Sequence, residues 1–388
     1  MTAVVIDAQR LRTIHCGLGQ FCLHLCQAVL EADDSDIEPV LLARPQDQAY
    51  FSGRRVRFLA PTDWQREPVA SLVRPYVTAF RRHRGYDLWH TTHQDSKHLP
   101  LDASVPLVLT IHDLSFLRQK SPVTIRRRLR TLQAKVNRAT VITTASHHAA
   151  HEISEHINLQ GKSIEVIPHG VCIKADERVD RRPSFLPPGR FLFSISDITV
   201  KKNFHVLVAL AAKLPEYRIV IAGNKRDPYA DEIQRQVQAA NLVDRVLLPG
   251  VVTDQDRQWL YQNCDAFLFP SLSEGFGLPV IEAMACGQPV FVSDLTSLPE
   301  VGGTLAFYWR DFDPAEMERV FRAGMRAAEA PGYATSLREH AATFSWSRAA
   351  EQYLTLYKRT LAATAMRSVT HQPRGASTLP QLGLRRGA

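Results

Sequence analysis

Two glutamates, Glu274 and Glu282, stand with seven residues between them in the stretch P-S-L-S-E-G-F-G-L-P-V-I-E-A-M-A-C-G, residues 270–287. Ionised carboxylates accept hydrogen bonds from hydroxyl groups. The segment between them has the opposite character. Gly275 and Gly277 allow a close backbone approach. The helix that Pro279 opens and Gly287 closes points the free N–H groups of its first turn at an anion. A ligand carrying both phosphate and sugar hydroxyls satisfies both halves, and a nucleotide-sugar is such a ligand. A tight βα turn with an acidic residue on the helix dipole accounts for Glu282 as well, but leaves the Glu274-Gly275-Phe276-Gly277 run unexplained.

Other residues could join this chemistry. Lys202 and Asn203 precede an apolar helical pattern from Phe204 to Leu214, and a lysine there can reach a diphosphate and neutralise a leaving group. His112 and Asp113 end an apolar run, where open α/β sheets bind ligands; a helix cap by Asp113 is the alternative. Gly17 and Gly19 lie between a first strand and a helix, as in a phosphate-approaching loop, though without a third glycine. His147, His148 and His151 have helical spacing but no fitting carboxylate or cysteine partner, and Ser146 before them reads as an N-cap. Asp311-Phe312-Asp313 precedes Pro314 and also reads as a cap. No metal site is expected.

The elements that must position these groups are short apolar runs alternating with helical patterns. The runs include Val4–Ile6, Pro39–Leu42, Arg57–Leu59, Asp87–His90, Val105–Ile111 and Ile164–Ile167 in the first half. Phe191–Ile195, Tyr217–Ala222, Arg245–Val252, Ala266–Phe269 and Pro289–Val292 follow. Such alternation argues for α/β architecture with parallel sheets covered by helices. A charged, Pro- and Gly-containing stretch, 173–190, separates the halves as a linker. The expected organisation is a first domain over 1–172, a second over 191–345, a helix over 346–366 and a disordered tail over 367–388.

With 388 residues the chain can hold two ordinary α/β domains, and 45% hydrophobic residues suits a soluble protein. No run reaches the roughly 20 apolar residues of a membrane span, and the N-terminus lacks a signal peptide's basic flank and long apolar run. Six cysteines without C-x-x-C pairs suit a reducing cytosol. The net charge is +8, and no acidic residue lies between Asp113 and Glu152. Arg118, Lys120, Arg126, Arg127, Arg128, Arg130, Lys135 and Arg138 accumulate there, and Arg81-Arg82-His83-Arg84 forms a second cluster. Without a nucleic-acid motif or interleaved aromatics, the 118–138 stretch suggests an anionic membrane surface rather than nucleic acid; a solvated helix face is the plainer alternative.

The segment E-G-F-G-L-P-V-I-E-A-M-A-C-G closely resembles the E-x7-E signature of the retaining glycosyltransferases of family 4, the glycosyl transferases group 1. The resemblance extends to about residue 360, is strongest in the second half, and is closest to bacterial mannosyltransferases. It implies a GT-B fold, two Rossmann-like domains facing across a cleft, and a nucleotide-sugar donor without a metal or other cofactor. The acceptor would be a glycan or a lipid-linked glycan, used in polysaccharide or lipopolysaccharide synthesis. The protein would be cytoplasmic, or peripheral at the inner face of the cytoplasmic membrane. By resemblance His112, Lys202 and Glu274 are the catalytic set. Gly17, Gly19, Asn203, Gly223, Asn224, Val251, Gly275, Phe276, Gly277, Leu278 and Glu282 would bind the donor. Two departures stand out: Ser196-Asp197 replaces the family's Gly-Arg, and His169 replaces the Asn before Gly170-Val171. A non-catalytic nucleotide-sugar-binding protein, or another enzyme of the fold such as an epimerase or phosphorylase, remains the alternative.

Overall fold

A computed structural model describes residues 1–14, 16–54, 56–61, 85–173 and 177–370, with side chains described to 366. The Arg81–Arg84 cluster and the tail beyond residue 370 lie outside the described residues.

The chain forms two parallel sheets. The first contains β1 (Thr2–Asp7), β2 (Ile37–Leu42), β3 (Arg57–Leu59), β4 (Leu88–Thr91), β5 (Leu107–Thr110), β6 (Val141–Thr144) and β7 (Ile164–Val166), in the order β3-β2-β1-β4-β5-β6-β7. The second contains β8 (Phe191–Ile195), β9 (Arg218–Ala222), β10 (Val246–Gly250), β11 (Ala266–Phe269), β12 (Val290–Ser293) and β13 (Phe307–Trp309), in the order β10-β9-β8-β11-β12-β13. Every strand pair is parallel. Strand order therefore reverses beside β1 in one sheet and beside β8 in the other. Crevices at the carboxyl ends of such reversals are where doubly wound sheets take ligands.

The central strands are largely apolar on both sides because helices cover both faces. Val4, Ile6, Leu41, Leu88 and Val108 pack on one side of the first sheet, and Val5, Leu42, Trp89, Leu107 and Leu109 on the other; all ten are buried. The second sheet is divided in the same way, with Phe193, Val220, Phe267 and Phe269 on one face and Leu192, Ile219, Ile221 and Leu268 on the other. Each such burial is worth roughly 1.5–3 kcal/mol. Strands β6 and β13 add two elements to the sequence reading.

The long helix Trp346–Thr370 leaves the second domain and packs on the first. Its anchor is polar as well as apolar. The fully buried His90 ring meets the Tyr357 hydroxyl at 2.7 Å through Nδ1 and the Thr110 hydroxyl at 2.8 Å through Nε2. With both ring nitrogens partnered and the ring fully buried, the imidazole stays neutral, its pKa pushed down to about 3 by burial and by the neighbouring His112.

Candidate active site

A cleft of about 430 Å³ opens between the carboxyl ends of the two sheets. Its floor on the second domain is the turn between β11 and the helix Leu278–Ala285. Gly277 enters that helix at φ +120°, a conformation that L side chains rarely adopt, and Leu298 Cδ2 lies 2.9 Å from where a Cβ would sit. Gly275 is required for another reason: a Cβ there would collide with the backbone carbonyl of His112 in the other domain. The Glu274–Gly277 loop is held from behind. The Glu274 amide donates to Thr296 Oγ1 at 3.0 Å, and the Ser297 hydroxyl donates to the carbonyls of Glu274 (3.1 Å) and Phe276 (2.8 Å).

Glu274 and Lys202 meet in this cleft, with Lys202 Nζ 2.5 Å from Glu274 Oε1. Both side chains are nearly buried, at 9% and 12% exposure. Burial draws the lysine pKa down, Glu274 opposes that, and neighbouring Lys201 adds to the downward shift. Lys202 also sits 5.2 Å above the Phe269 ring. Glu282, on the helix Leu278–Ala285, is almost fully buried.

The first domain supplies the opposite wall. His112 Nε2 lies 2.9 Å from the Thr92 carbonyl, which can only accept, so Nε2 carries the proton and Nδ1 keeps a lone pair. Burial lowers its pKa against the pull of that hydrogen bond and of Asp113, so the ring is neutral near pH 7. Its neighbours are Phe21, edge-on at 4.7 Å, and the rings of His93 and His169, each at 5.6 Å. His93 Nδ1 receives Arg10 at 2.6 Å and the Asp95 amide at 2.9 Å, which fixes its proton on Nε2. For Asp113, burial raises the pKa but Lys201 and Ser115 outweigh it, and the carboxyl lies below its ordinary value. Its Oδ1 accepts from the Ser115 amide at 2.8 Å in a local turn, while the N-cap of the short helix Phe116–Gln119 is Ser115 rather than Asp113.

Two models of known families match consecutive parts of the chain: Glycosyltransferase Family 4 over residues 8–174 and Glycosyl transferases group 1 over residues 176–304. The D-inositol 3-phosphate glycosyltransferase of Mycobacterium avium is 30% identical over 302 residues, covering 70% of this chain and 67% of that protein. The chain belongs to glycosyltransferase family 4. The serotype-specific mannosyltransferase WbdA of Escherichia coli is 30% identical over 247 residues, or 59% of this chain. The match spans only 30% of that relative's length. Among solved structures, Anabaena Alr3699/HepE in complex with UDP and glucose superposes with a TM-score of 0.66 at 19% identity, covering 92% of this chain and all of that one. That likeness supports the GT-B fold.

In this family 4 member the cleft gathers most of the residues singled out from sequence. His112, Lys202, Glu274, Gly17, Gly223, Asn224, Val251, Gly275, Phe276, Gly277, Leu278 and Glu282 all line it. Gly19 and Asn203 do not. Gly19 is buried against the backbone of Thr13 and Ile14, where a Cβ would clash. Asn203 is a left-handed residue, φ 58°, ending the short 3-10 turn Val200–Lys202. Its carbonyl receives the Val206 amide at 3.3 Å, so it shapes the approach to Lys202 from outside the wall. Asp197 is exposed at the rim. Among the described residues, no group of three or more His, Cys, Asp or Glu is arranged to hold a metal. Ser146 and Asp313 are helix caps, accepting from the amides of Ala149 and of Ala315 and Glu316.

Three features were not read from sequence. Arg257 lines the cleft beside Glu282, with Nη1 3.6 Å from Glu282 Oε1. Glu300 bridges the domains by accepting from the His147 and His148 amides at 2.9 and 3.2 Å, the first turn of the helix His147–His156. Beside it the Ser146 hydroxyl donates to the Gly275 carbonyl at 2.8 Å. The basic run is also divided. Arg118 pairs with Glu152 at 2.7 Å, Lys135 is buried and donates to the carbonyls of Gln94 and Ser96, and Arg138 donates to those of Asp102 and Val105. Arg126, Arg127, Arg128 and Arg130 remain exposed, with Arg128 lying over Phe116 at the cleft mouth. Among the described residues no helix is long and apolar enough to cross a membrane.

Proposed function

We propose that this chain is a retaining, metal-independent hexosyltransferase. It moves a hexose, mannose in the favoured case, from a nucleotide diphosphate to a hydroxyl of a glycan or lipid-linked acceptor in polysaccharide or lipopolysaccharide synthesis. The observation that carries the proposal is the pairing of Lys202 with Glu274 at the mouth of a glycine turn and helix N-terminus, facing a neutral His112 across the cleft. The mannosyltransferase name of WbdA and the UDP and glucose bound by HepE support the substrate class.

In this mechanism the diphosphate lies against the Gly275–Leu278 turn, and Lys202 transfers its charge from Glu274 to the leaving phosphate. Lys201 supplies a second cation in place of the arginine that Asp197 replaces. Glu274, released, accepts from hydroxyls of the transferred sugar, and Glu282 accepts from the ribose. The Nδ1 lone pair of His112 accepts from another sugar hydroxyl. The acceptor oxygen attacks the anomeric carbon on the face that the phosphate leaves. Its proton passes to the departing phosphate oxygen, so no enzymic nucleophile is needed. Preorganised charge on the leaving group is the principal source of acceleration. The exposed arginines at 126–130 would rest against an anionic membrane that presents the acceptor.

The test is a panel of GDP-, UDP-, ADP- and dTDP-sugars with the purified protein, following release of nucleoside diphosphate. Release from one donor that Lys202→Ala abolishes is the expected result. Tight binding without release, with or without lipid-linked glycans, would instead establish a binding protein.

A further inference from the structure

We infer that Arg257 reads the base of the donor, and that the base it selects is guanine. This rests on the nucleotide-sugar reading of the cleft. The side chain of Arg257 is 18% exposed and lines the cleft. Its guanidinium approaches Glu282 at 3.6 Å and Asp254 at 3.9 Å, both beyond hydrogen-bond length. No hydrogen bond to it occurs among the described residues, and its Nε is buried without a partner. A buried N–H without an acceptor is costly unless a ligand supplies one, and the two Nη groups, turned only loosely toward carboxylates, leave the planar fork open to that ligand.

Position decides which acceptors. The phosphate end of the cleft is marked by Lys202 and the Gly275–Leu278 turn. Arg257 stands in the first turn of the helix Asp254–Asn263, which follows β10, and lies beside Glu282, the ribose contact of the proposed mechanism. A carboxylate beside it disfavours a second phosphate there and leaves neutral acceptors. Gly223, Val251 and Val252, from the turns that follow β9 and β10, also line the cleft. Val251 is apolar yet 57% exposed. A slot with apolar walls and one donor fork suits a flat base held edge-on. Guanine offers O6 and N7 side by side, the pair that arginine meets bidentately, whereas adenine sets a donor beside N7 and uracil has no such pair.

The full-length chain is titrated calorimetrically with GDP, 7-deaza-GDP, ADP and UDP. The expected order places GDP about ten- to a hundred-fold tighter than ADP, with 7-deaza-GDP weakened by about tenfold through loss of N7. Arg257→Lys keeps a cation beside Glu282, so the fold is retained, but lacks the fork. In that variant GDP and 7-deaza-GDP should bind within about twofold of each other. Tighter binding of UDP or ADP than GDP by the unaltered protein would overturn the inference and leave the nucleotide-sugar reading standing. An equal loss for every nucleotide in Arg257→Lys would also overturn it, placing the arginine on ribose or phosphate. Failure to bind any nucleotide would overturn both.

Discussion

Replacing Lys202 by methionine separates its structural role from its chemical one. The ammonium and Glu274 are 2.5 Å apart and nearly buried. Removing one member of a buried pair leaves an uncompensated charge and costs about 3–5 kcal/mol of stability. The same substitution removes a cation from the leaving diphosphate. A unit charge at ~4 Å and an effective dielectric near 20 is worth ~4 kcal/mol, equivalent to roughly a thousandfold in rate. The double variant Lys202→Met/Glu274→Gln has no buried charge left to strand. It should regain most of the lost stability in urea unfolding while its single-turnover donor cleavage stays at or below the level of Lys202→Met. Recovery of turnover together with stability would refute the reasoning, because Lys202 would then act only as the partner of Glu274.

Glu300→Ala removes the carboxylate that caps an N-domain helix from the C-domain. A cap is worth ~1 kcal/mol, so small-angle scattering should show a larger radius of gyration and turnover should fall about fivefold; an unchanged radius would deny Glu300 a bridging role. Neutral histidines set the acid limit of the fold: half-buried His24 is pushed down to about 4 and fully buried His90 to about 3, each chiefly by desolvation. An unfolded histidine titrates near 6.5, so stability is full above that pH and falls as pH drops towards 3, by up to about 1.4 kcal/mol per pH unit for each. His90→Gln should flatten that slope in urea titrations between pH 4 and 6.5, and an unaltered slope would exclude His90 as a source. Charge reversal at Arg126, Arg127 and Arg130 should abolish sedimentation with anionic vesicles, at ~1 kcal/mol per cation, and undiminished sedimentation would remove the membrane contact. Lys135→Glu should instead destabilise the fold, because that ammonium is buried on two carbonyls.

The glycine turn with Glu274 and Glu282 was legible in sequence because one strand, one loop and one helix carry all of it. The alternation of apolar runs likewise revealed the parallel sheets. Strand β6, Val-Ile-Thr-Thr, escaped because half of it is threonine, and β13 because it is only three aromatic residues at a sheet edge. Arg257 beside Glu282, and Glu300 beside His147 and His148, were not legible, since these partners lie on other elements and no spacing in the chain encodes a tertiary contact. The division of the basic run was legible in principle. Leu132, Lys135 and Val136 share one helical face and are all buried, so the phase of that helix already turns Lys135 inward. His112 shows the limit of recognising a residue by its place: its position was readable, but its tautomer depends on the carbonyl of Thr92, just past β4, and its neutral state on burial by the surrounding elements.

The most direct test of the central claim is the stereochemistry of transfer. The protein is supplied with an α-configured nucleotide-sugar and an acceptor, and the one-bond carbon–hydrogen coupling at the anomeric centre of the product is measured by NMR before any side reaction can scramble it. The same-face mechanism through Lys202 and the leaving phosphate predicts an α-linked product. A β-linked product would contradict it and require a base on the far face of the sugar.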